Sequence, residues 1–343
     1  MPAASQERLL LLDTASLYYR AYYGMPDTMR APDGTPINAV RGMLDFAARL
    51  ITDHSPTRFV AALDANWRPS WRVELLPSYK AHRVLQEATA ETTEQLGLDF
   101  EESTDEGTDQ ALDDGAARTV DAVAEMPDEL SVQIPLIVEI FQHFGLATLG
   151  VDDFEADDVI GTLTHRSQIP VGIVTGDRDL FQLVDDALVR RVLYTAARGV
   201  NRVDIVNEAW IAEKYAIPGK SYADFATLRG DPSDGLPGVR GIGQKTAATL
   251  LTQFGDLRTI IAAAHDPDSQ MTATVRKKLL DGLDYLAVAP RVVAVSREVP
   301  VPDTLDDALP RLPRDDDAVE EMAERLGLGR SVERLRTALA KRN

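Results

Sequence analysis

The chain has 343 residues, 44% of them hydrophobic, enough for one large α/β domain or a core with a smaller appendage, and too many for wholesale disorder. It has no cysteine, which excludes disulfides, thiolate nucleophiles and cysteine-ligated zinc and fits a reducing cytoplasm. The formal net charge of −19 speaks at first against a nucleic-acid partner, yet fifteen acids against the single base Arg118 fall between Glu87 and Glu129, so the remaining chain is close to balanced.

The N-terminal stretch MPAASQERLLLLD lacks the basic region and the length of a signal peptide. No apolar run approaches the ~20 residues of a membrane span, so a soluble, cytoplasmic protein without membrane contact is expected. Three short apolar runs, RLLLLD (8–13), RFVAALD (58–64) and VGIVTGD (171–177), read as buried parallel strands, each closed by an acid. Helical spacing at 40–51 and 130–144 supplies covering layers, and the alternation predicts an α/β fold with a mostly parallel central sheet flanked by helices. Between them, about 85–129 reads as an acidic, weakly ordered insertion, with a helix expected at 115–124. After Asn207 the pattern turns helical, with one strand expected at 291–299 and an amphipathic helix at 318–341. The expected division is a core at 1–207, a helical region at 208–300 and a C-terminal helical segment at 301–343.

In an open parallel sheet, side chains at the carboxyl ends of strands line the functional crevice. Asp13, Asp64 and Asp177 should therefore meet at one edge, although each has an ordinary alternative as a helix N-cap. FEADDVI sets Glu155, Asp157 and Asp158 at a helix start, with Glu155 and Asp158 expected on one face and Asp157 turned away. Asp179 follows Asp177, and RGDPSDGLPG adds Asp231 and Asp234. So many carboxylates oppose one another's ionisation unless cations join them, and an all-oxygen set suits Mg²⁺ or Mn²⁺. The five histidines show no metal-ligand spacing. In LPGVRGIGQKTAATLL, Gly238, Gly241 and Gly243 permit a tight turn and close backbone approach to a phosphate. A helix starting near Gln244 offers its N-terminal amides to an anion.

The stretches DTASLYYRAYYGMP (13–26), LPSYKAHR (76–83), FEADDVIGTL (154–163), GIVTGDRDLFQLV (172–184) and LRGDPSDGLPGVRGIGQKTAATLL (228–251) resemble, in order and spacing, the bacterial flap endonuclease family. That family is the 5′ nuclease homologous to the N-terminal domain of DNA polymerase I, and this chain resembles a stand-alone member. The resemblance implies a PIN-like flap endonuclease core with a C-terminal helix–three-turn–helix DNA-binding subdomain. It implies two or three Mg²⁺ or Mn²⁺ ions on Asp13, Asp64, Glu155, Asp157, Asp158, Asp177 and Asp179, with Asp231 and Asp234 more distant. Lys80 and Arg83 match the basic pair at the scissile phosphate, and Tyr19 and Arg20 an aromatic–basic pair suited to stacking and phosphate contact. The glycine turn with Lys245 and Thr246 would grip duplex backbone, with room for K⁺. The implied partner is branched or 5′-flap DNA, RNA-containing 5′ ends being a further candidate, with no obligate protein partner. Thr14, Gly235 and Gln244 depart from the family's usual glycine, asparagine and glutamate, and none of them removes an acid. A non-catalytic branched-DNA binder and a PIN-like ribonuclease are the alternatives.

Overall fold

A computed structural model describes residues 7–84, 126–196 and 199–341. The acidic insertion, apart from its end at 126–129, and the helix expected at 115–124 lie outside these residues.

Six strands form one sheet in the order β3-β2-β1-β4-β5-β6. Its centre is β1 (Leu9–Asp13), which pairs in parallel with β2 (Arg58–Ala62) and with β4 (Val171–Thr175). β3 (Ala147–Leu149) and β5 (Arg190–Tyr194) extend it in parallel, and β6 (Asp204–Val206) closes one edge antiparallel. The mostly parallel sheet expected from the apolar runs is present; β3, β5 and β6 were not anticipated, being very short or carrying arginines.

The leucine run explains why β1 is central. Strand side chains alternate faces, so a strand apolar at every position must be covered on both sides. Leu9 and Leu11 enter one core with Val60, Ile173 and Val192, while Leu10 and Leu12 enter the other with Phe59, Val174 and Leu193. Each fully buried leucine contributes about 1.5–3 kcal/mol relative to exposure. The first core includes the helix Ala156–Arg166 and the C-terminal helical region; the second includes Thr14–Gly24, Asn38–His54 and Gln133–Phe144.

The C-terminal region is built from Glu208–Tyr215, Tyr222–Arg229, Gln244–Phe254, Leu257–His265, Ala273–Asp281 and Leu283–Val293. The strand expected at 291–299 is absent. The last helix runs through Val293, and the chain continues unpaired, with Val295 and Val299 buried in the core. Its β-branched residues fit a buried extended segment, and β-propensity alone does not supply a pairing partner. The expected helix at 318–341 is two helices, Asp316–Leu326 and Gly329–Ala340, broken where Gly327 adopts φ +67°. No described helix is long and apolar enough to cross a membrane.

Candidate active site

The acids at the sheet edge are first of all structural. Asp13, buried at the end of β1, caps Thr14–Gly24 by accepting from Ser16 N at 3.1 Å, and it also accepts from Thr175 Oγ1 at 2.6 Å. Asp64, just past β2, accepts from Ala156 N at 2.7 Å, and Asp177, just past β4, accepts from Asp179 N at 2.8 Å. The capping alternative thus holds for Asp13, whereas Asp64 receives the first amide of Ala156–Arg166 from outside that helix, whose N-cap is Glu155. These bonds also fix both acids, because a carboxylate oriented by backbone amides keeps its second oxygen at a set place.

A cleft on this edge is lined by Glu155, Asp157, Asp177, Asp179 and Asp234 together with Arg72, Tyr79 and Lys80. The electrostatics of these acids, and of Asp13 and Asp64, which lie outside the lining, follow from crowding. Burial, with the charges of Asp64 and Asp177, pushes the Asp13 carboxyl up to about 7 against the pull of its hydrogen bonds. Burial and then Asp177 hold Asp157 and Asp179 well above the ordinary carboxylate range, with Asp13 adding to the first and Asp234 to the second. Asp177 sits at the mouth, where solvent reaches it; the enclosing walls and then Asp234 push it in the same direction. As they stand, no group of three acids or histidines among the described residues is spaced to hold one ion. The donor set nevertheless fits a hard divalent cation: oxygen only, enclosed, and carrying repulsion that a cation would relieve. This has a consequence for stability. With its folded-state pKa near 7 against an ordinary 3.8, Asp13 keeps a proton in the folded state that the unfolded chain releases. Metal-free protein should therefore lose stability as pH rises between these values, and added Mg²⁺ should flatten that slope. Thermal melts at pH 5 and 7.5, in chelator and in Mg²⁺, test both signs.

Protein cations already partner several of the acids. Lys80 Nζ donates to Glu155 Oε1, and Arg83 Nη2 to Asp234 Oδ1 at 3.2 Å. Arg229 Nη2 donates to Asp231 Oδ2 at 3.2 Å, and Asp231 also accepts from Ser233, which keeps it in its own turn, outside the cleft lining. Asp158 corrects the sequence reading. It is fully buried, takes a two-pronged bond from Arg72, and does not line the cleft; Asp157 does. Glu155 and Asp158 do share a face, meeting on Arg72 Nη1 as expected from their spacing, but Asp158 is taken up by a capping box, its Oδ2 accepting from Glu155 N, and it is Asp157 that reaches the cleft. Arg72, Tyr79 and Arg229 were not singled out from the sequence. Arg72 and Arg229 have no spacing signal; Tyr79 stands directly before Lys80, the one available hint.

Lys80 itself occupies a left-handed backbone, φ +49°, which non-glycine residues rarely adopt. Its N–H donates to the Asp234 carbonyl at 3.0 Å, tying this turn to the 231–235 loop. Gly235, φ +68°, makes that contact feasible, since an added Cβ would lie 2.1 Å from the Ser78 carbonyl oxygen. Gly235→Ala should therefore cost about 1–3 kcal/mol in denaturant melts and dislodge Lys80, lowering activity as well.

Tyr19 and Arg20 are half-buried on Thr14–Gly24, Tyr19 against the Tyr18 ring and Arg20 beside Gly176 at the end of β4. In the glycine turn, Gly238 (φ +65°) and Gly241 (φ +79°) use the left-handed region, whereas Gly243 does not, at φ −90°. Gly238 is needed by the chain's own packing, an added Cβ falling 2.5 Å from the Arg229 carbonyl oxygen. Gly243 faces open space as the N-cap of Gln244–Phe254, whose first amides have no side-chain cap; Lys245 is exposed there and Thr246 half-buried.

Crowded, mutually opposing carboxylates with a lysine in the cleft wall fit a nuclease that works with divalent metal. The comparisons agree. A family model described as 5′-3′ exonuclease, N-terminal resolvase-like domain, matches residues 8–216, and one described as 5′-3′ exonuclease, C-terminal SAM fold, matches residues 217–316. The chain belongs to the 5′-3′ exonuclease family. It is 54% identical over 330 residues to a 5′-3′ exonuclease of Streptomyces coelicolor, covering 96% of this chain and 99% of that one. It is 44% identical to a 5′-3′ exonuclease of Mycobacterium tuberculosis, covering 96% and 97%. DNA polymerase I of Mycobacterium bovis is 34% identical over 76% of this chain and 25% of that protein. Among solved structures, the bacteriophage T5 D15 flap endonuclease, in a pseudo-enzyme–product complex with DNA and metal ions, has a TM-score of 0.61 at 15% identity, covering 98% of this chain and all of that one. Flap endonuclease-1 of Methanococcus jannaschii has 0.55 at 15%, covering 98% and 94%. These two share the fold.

Proposed function

We propose that the protein is a structure-selective 5′-3′ exonuclease and flap endonuclease of DNA replication and repair, cutting phosphodiesters to leave 5′-phosphate and 3′-hydroxyl ends. The observation that carries this reading is the cleft at the carboxyl edge of the sheet, where burial and neighbouring acids oppose the ionisation of Asp157, Asp177 and Asp179, a load that a divalent cation would relieve. Mg²⁺ or Mn²⁺ is proposed on Asp13, Asp64, Glu155, Asp157, Asp177 and Asp179, with Asp234 and Asp231 further out. Bound there, divalent cations would stabilise the attacking and departing oxygens and lower the pKa of water towards ~7. The chain's own groups do the rest. Asp13 and Asp64 stay oriented by the backbone amides that donate to them, and Lys80 and Arg83 bind the scissile phosphate, the arginine as a fork and the lysine as a compact charge. Tyr19 and Arg20 are proposed to stack on and anchor the strand entering the cleft.

The exposed start of Gln244–Phe254, with Lys245 and Thr246, is proposed to hold duplex backbone, with K⁺ in the preceding glycine turn. Backbone contacts position DNA without reading its sequence, which suits selection by structure. RNA-containing 5′ ends and a cytoplasmic location belong to the same proposal, the latter supported by the absence of cysteine. Lys245→Ala should weaken duplex binding with little change in single-turnover rate at saturating protein, and reduce the salt slope by about 0.9 for one lost phosphate contact. The decisive experiment is cleavage of a 5′-labelled flap with and without Mn²⁺. Binding without cutting would favour a non-catalytic junction binder, and a strong preference for RNA strands would favour a ribonuclease.

A further inference from the structure

Arg72 lies on the short helix Ser70–Leu75 and is only 3% exposed, an unusual place for a guanidinium. Nη1 donates to Glu155 Oε2 at 2.7 Å and Asp158 Oδ2 at 2.6 Å, Nη2 to Asp158 Oδ1 at 2.7 Å, and Nε to the Val292 carbonyl at 3.0 Å. The Trp71 ring lies 4.3 Å from the guanidinium. Tyr79, also buried, donates its hydroxyl to the same Glu155 Oε2 at 2.8 Å, and burial keeps that phenol protonated far above neutrality. Both donors converge on one oxygen. The other, Oε1, is partnered by Lys80 at the cleft wall.

A buried ion group adds little net stability over packed apolar side chains, because desolvation offsets most of the attraction. What it does supply is geometry. Left to itself, Glu155 has three side-chain torsions; with Oε2 held by a rigid fork and a phenol, the carboxylate cannot swing away from the cleft. The fork is fixed in turn by the 292–296 segment, through the Val292 carbonyl and through Ser296 N, which donates to Asp158 Oδ1 at 2.7 Å. That segment leaves the helix Leu283–Val293, which packs on Tyr222–Arg229 of the C-terminal region.

We infer that Arg72 and Tyr79 are positioning residues: they pin one oxygen of Glu155 so that the other is the working oxygen towards a divalent cation, and they make that placement depend on the C-terminal helices. The inference rests on the nuclease reading of the cleft and adds residues to it that the acid pattern does not contain. Groups that orient a metal-binding side chain are typically worth about 10–100-fold in metal affinity or activity.

The test uses the full chain, freed of metal, with Tyr79→Phe and Arg72→Lys beside the parent. Mn²⁺ is titrated calorimetrically without DNA, melting is followed thermally, and single-turnover flap cleavage is measured across Mn²⁺ concentrations. Tyr79→Phe removes one hydroxyl and leaves the buried charges paired. It should bind Mn²⁺ about tenfold more weakly and cleave correspondingly more slowly at limiting Mn²⁺, with the rate recovering as Mn²⁺ rises and the melting temperature near the parent's. Arg72→Lys keeps a cation but cannot span both carboxylates and the Val292 carbonyl, so it should lose more of both readouts; if it fails to fold, Tyr79→Phe carries the test. The inference is overturned if Tyr79→Phe matches the parent in Mn²⁺ affinity and in rate at every Mn²⁺ concentration, or if it loses only thermal stability. A parent that binds Mn²⁺ yet cuts no flap overturns the nuclease reading instead, and the Mn²⁺ titration still decides the role of Tyr79.

Discussion

Asp177→Asn should lower single-turnover flap cleavage by roughly 10³-fold or more, beyond the ~10–100-fold typical of losing a group that only orients a metal-binding side chain. Asp177 stands just past the end of β4, and its charge is among those that hold Asp157 and Asp179 above their ordinary range. The amide is nearly the same size and can still accept from Asp179 N, so the fold should be preserved. What is lost is one negative charge where a divalent cation is proposed. The same loss lessens repulsion of phosphate, so flap binding should be unchanged or tighter in gel-shift or anisotropy titrations. Turnover within tenfold of the parent would remove Asp177 from the proposed chemistry.

Lys80→Ala should show the opposite split from Lys245→Ala. Lys80 lies in the cleft wall, paired with Glu155, on a strained backbone secured by the Asp234 carbonyl. Such strain persists where the surrounding structure over-determines it, and it places the ammonium beside the acids. Removing a positive group that stabilises charge developing at phosphate typically costs roughly 10²–10³-fold in rate. Duplex affinity should change little, because the turn around Lys245, proposed to hold duplex backbone, lies outside the cleft lining. Single-turnover rates at saturating protein, beside equilibrium titrations, separate the two contributions; a mutant defective only in affinity would count against a role in chemistry.

Much of this was legible in the sequence because strand ends and acids coincide. The runs ending at Asp13, Asp64 and Asp177 are apolar at nearly every position, which only a strand covered on both faces tolerates, and their acids fall where parallel sheets place function. The orientation of individual side chains was not legible. Asp157 and Asp158 are adjacent, and their division of labour depends on Arg72, eighty-odd positions earlier and unremarkable in its own helix. Gly243 likewise follows the glycine spacing of the turn but takes up an ordinary φ as a helix cap. The run RVVAVSREV has strand composition, yet its valines are buried as a helix end and as chain outside the sheet.

The distance in sequence across the Arg72 clamp has a bearing on biosynthesis. The acids of the cleft have all been synthesised by Asp234, but the Val292 carbonyl that holds Arg72 and the Ser296 amide that holds Asp158 come later. Later still come residues 307–309, whose backbone bonds to Thr57 and Phe59 complete the outer side of β2. At about 5–20 residues per second, ribosomes need several seconds to cover that interval. A nascent chain on the ribosome therefore carries its carboxylates before the groups that hold the Arg72 clamp have been made.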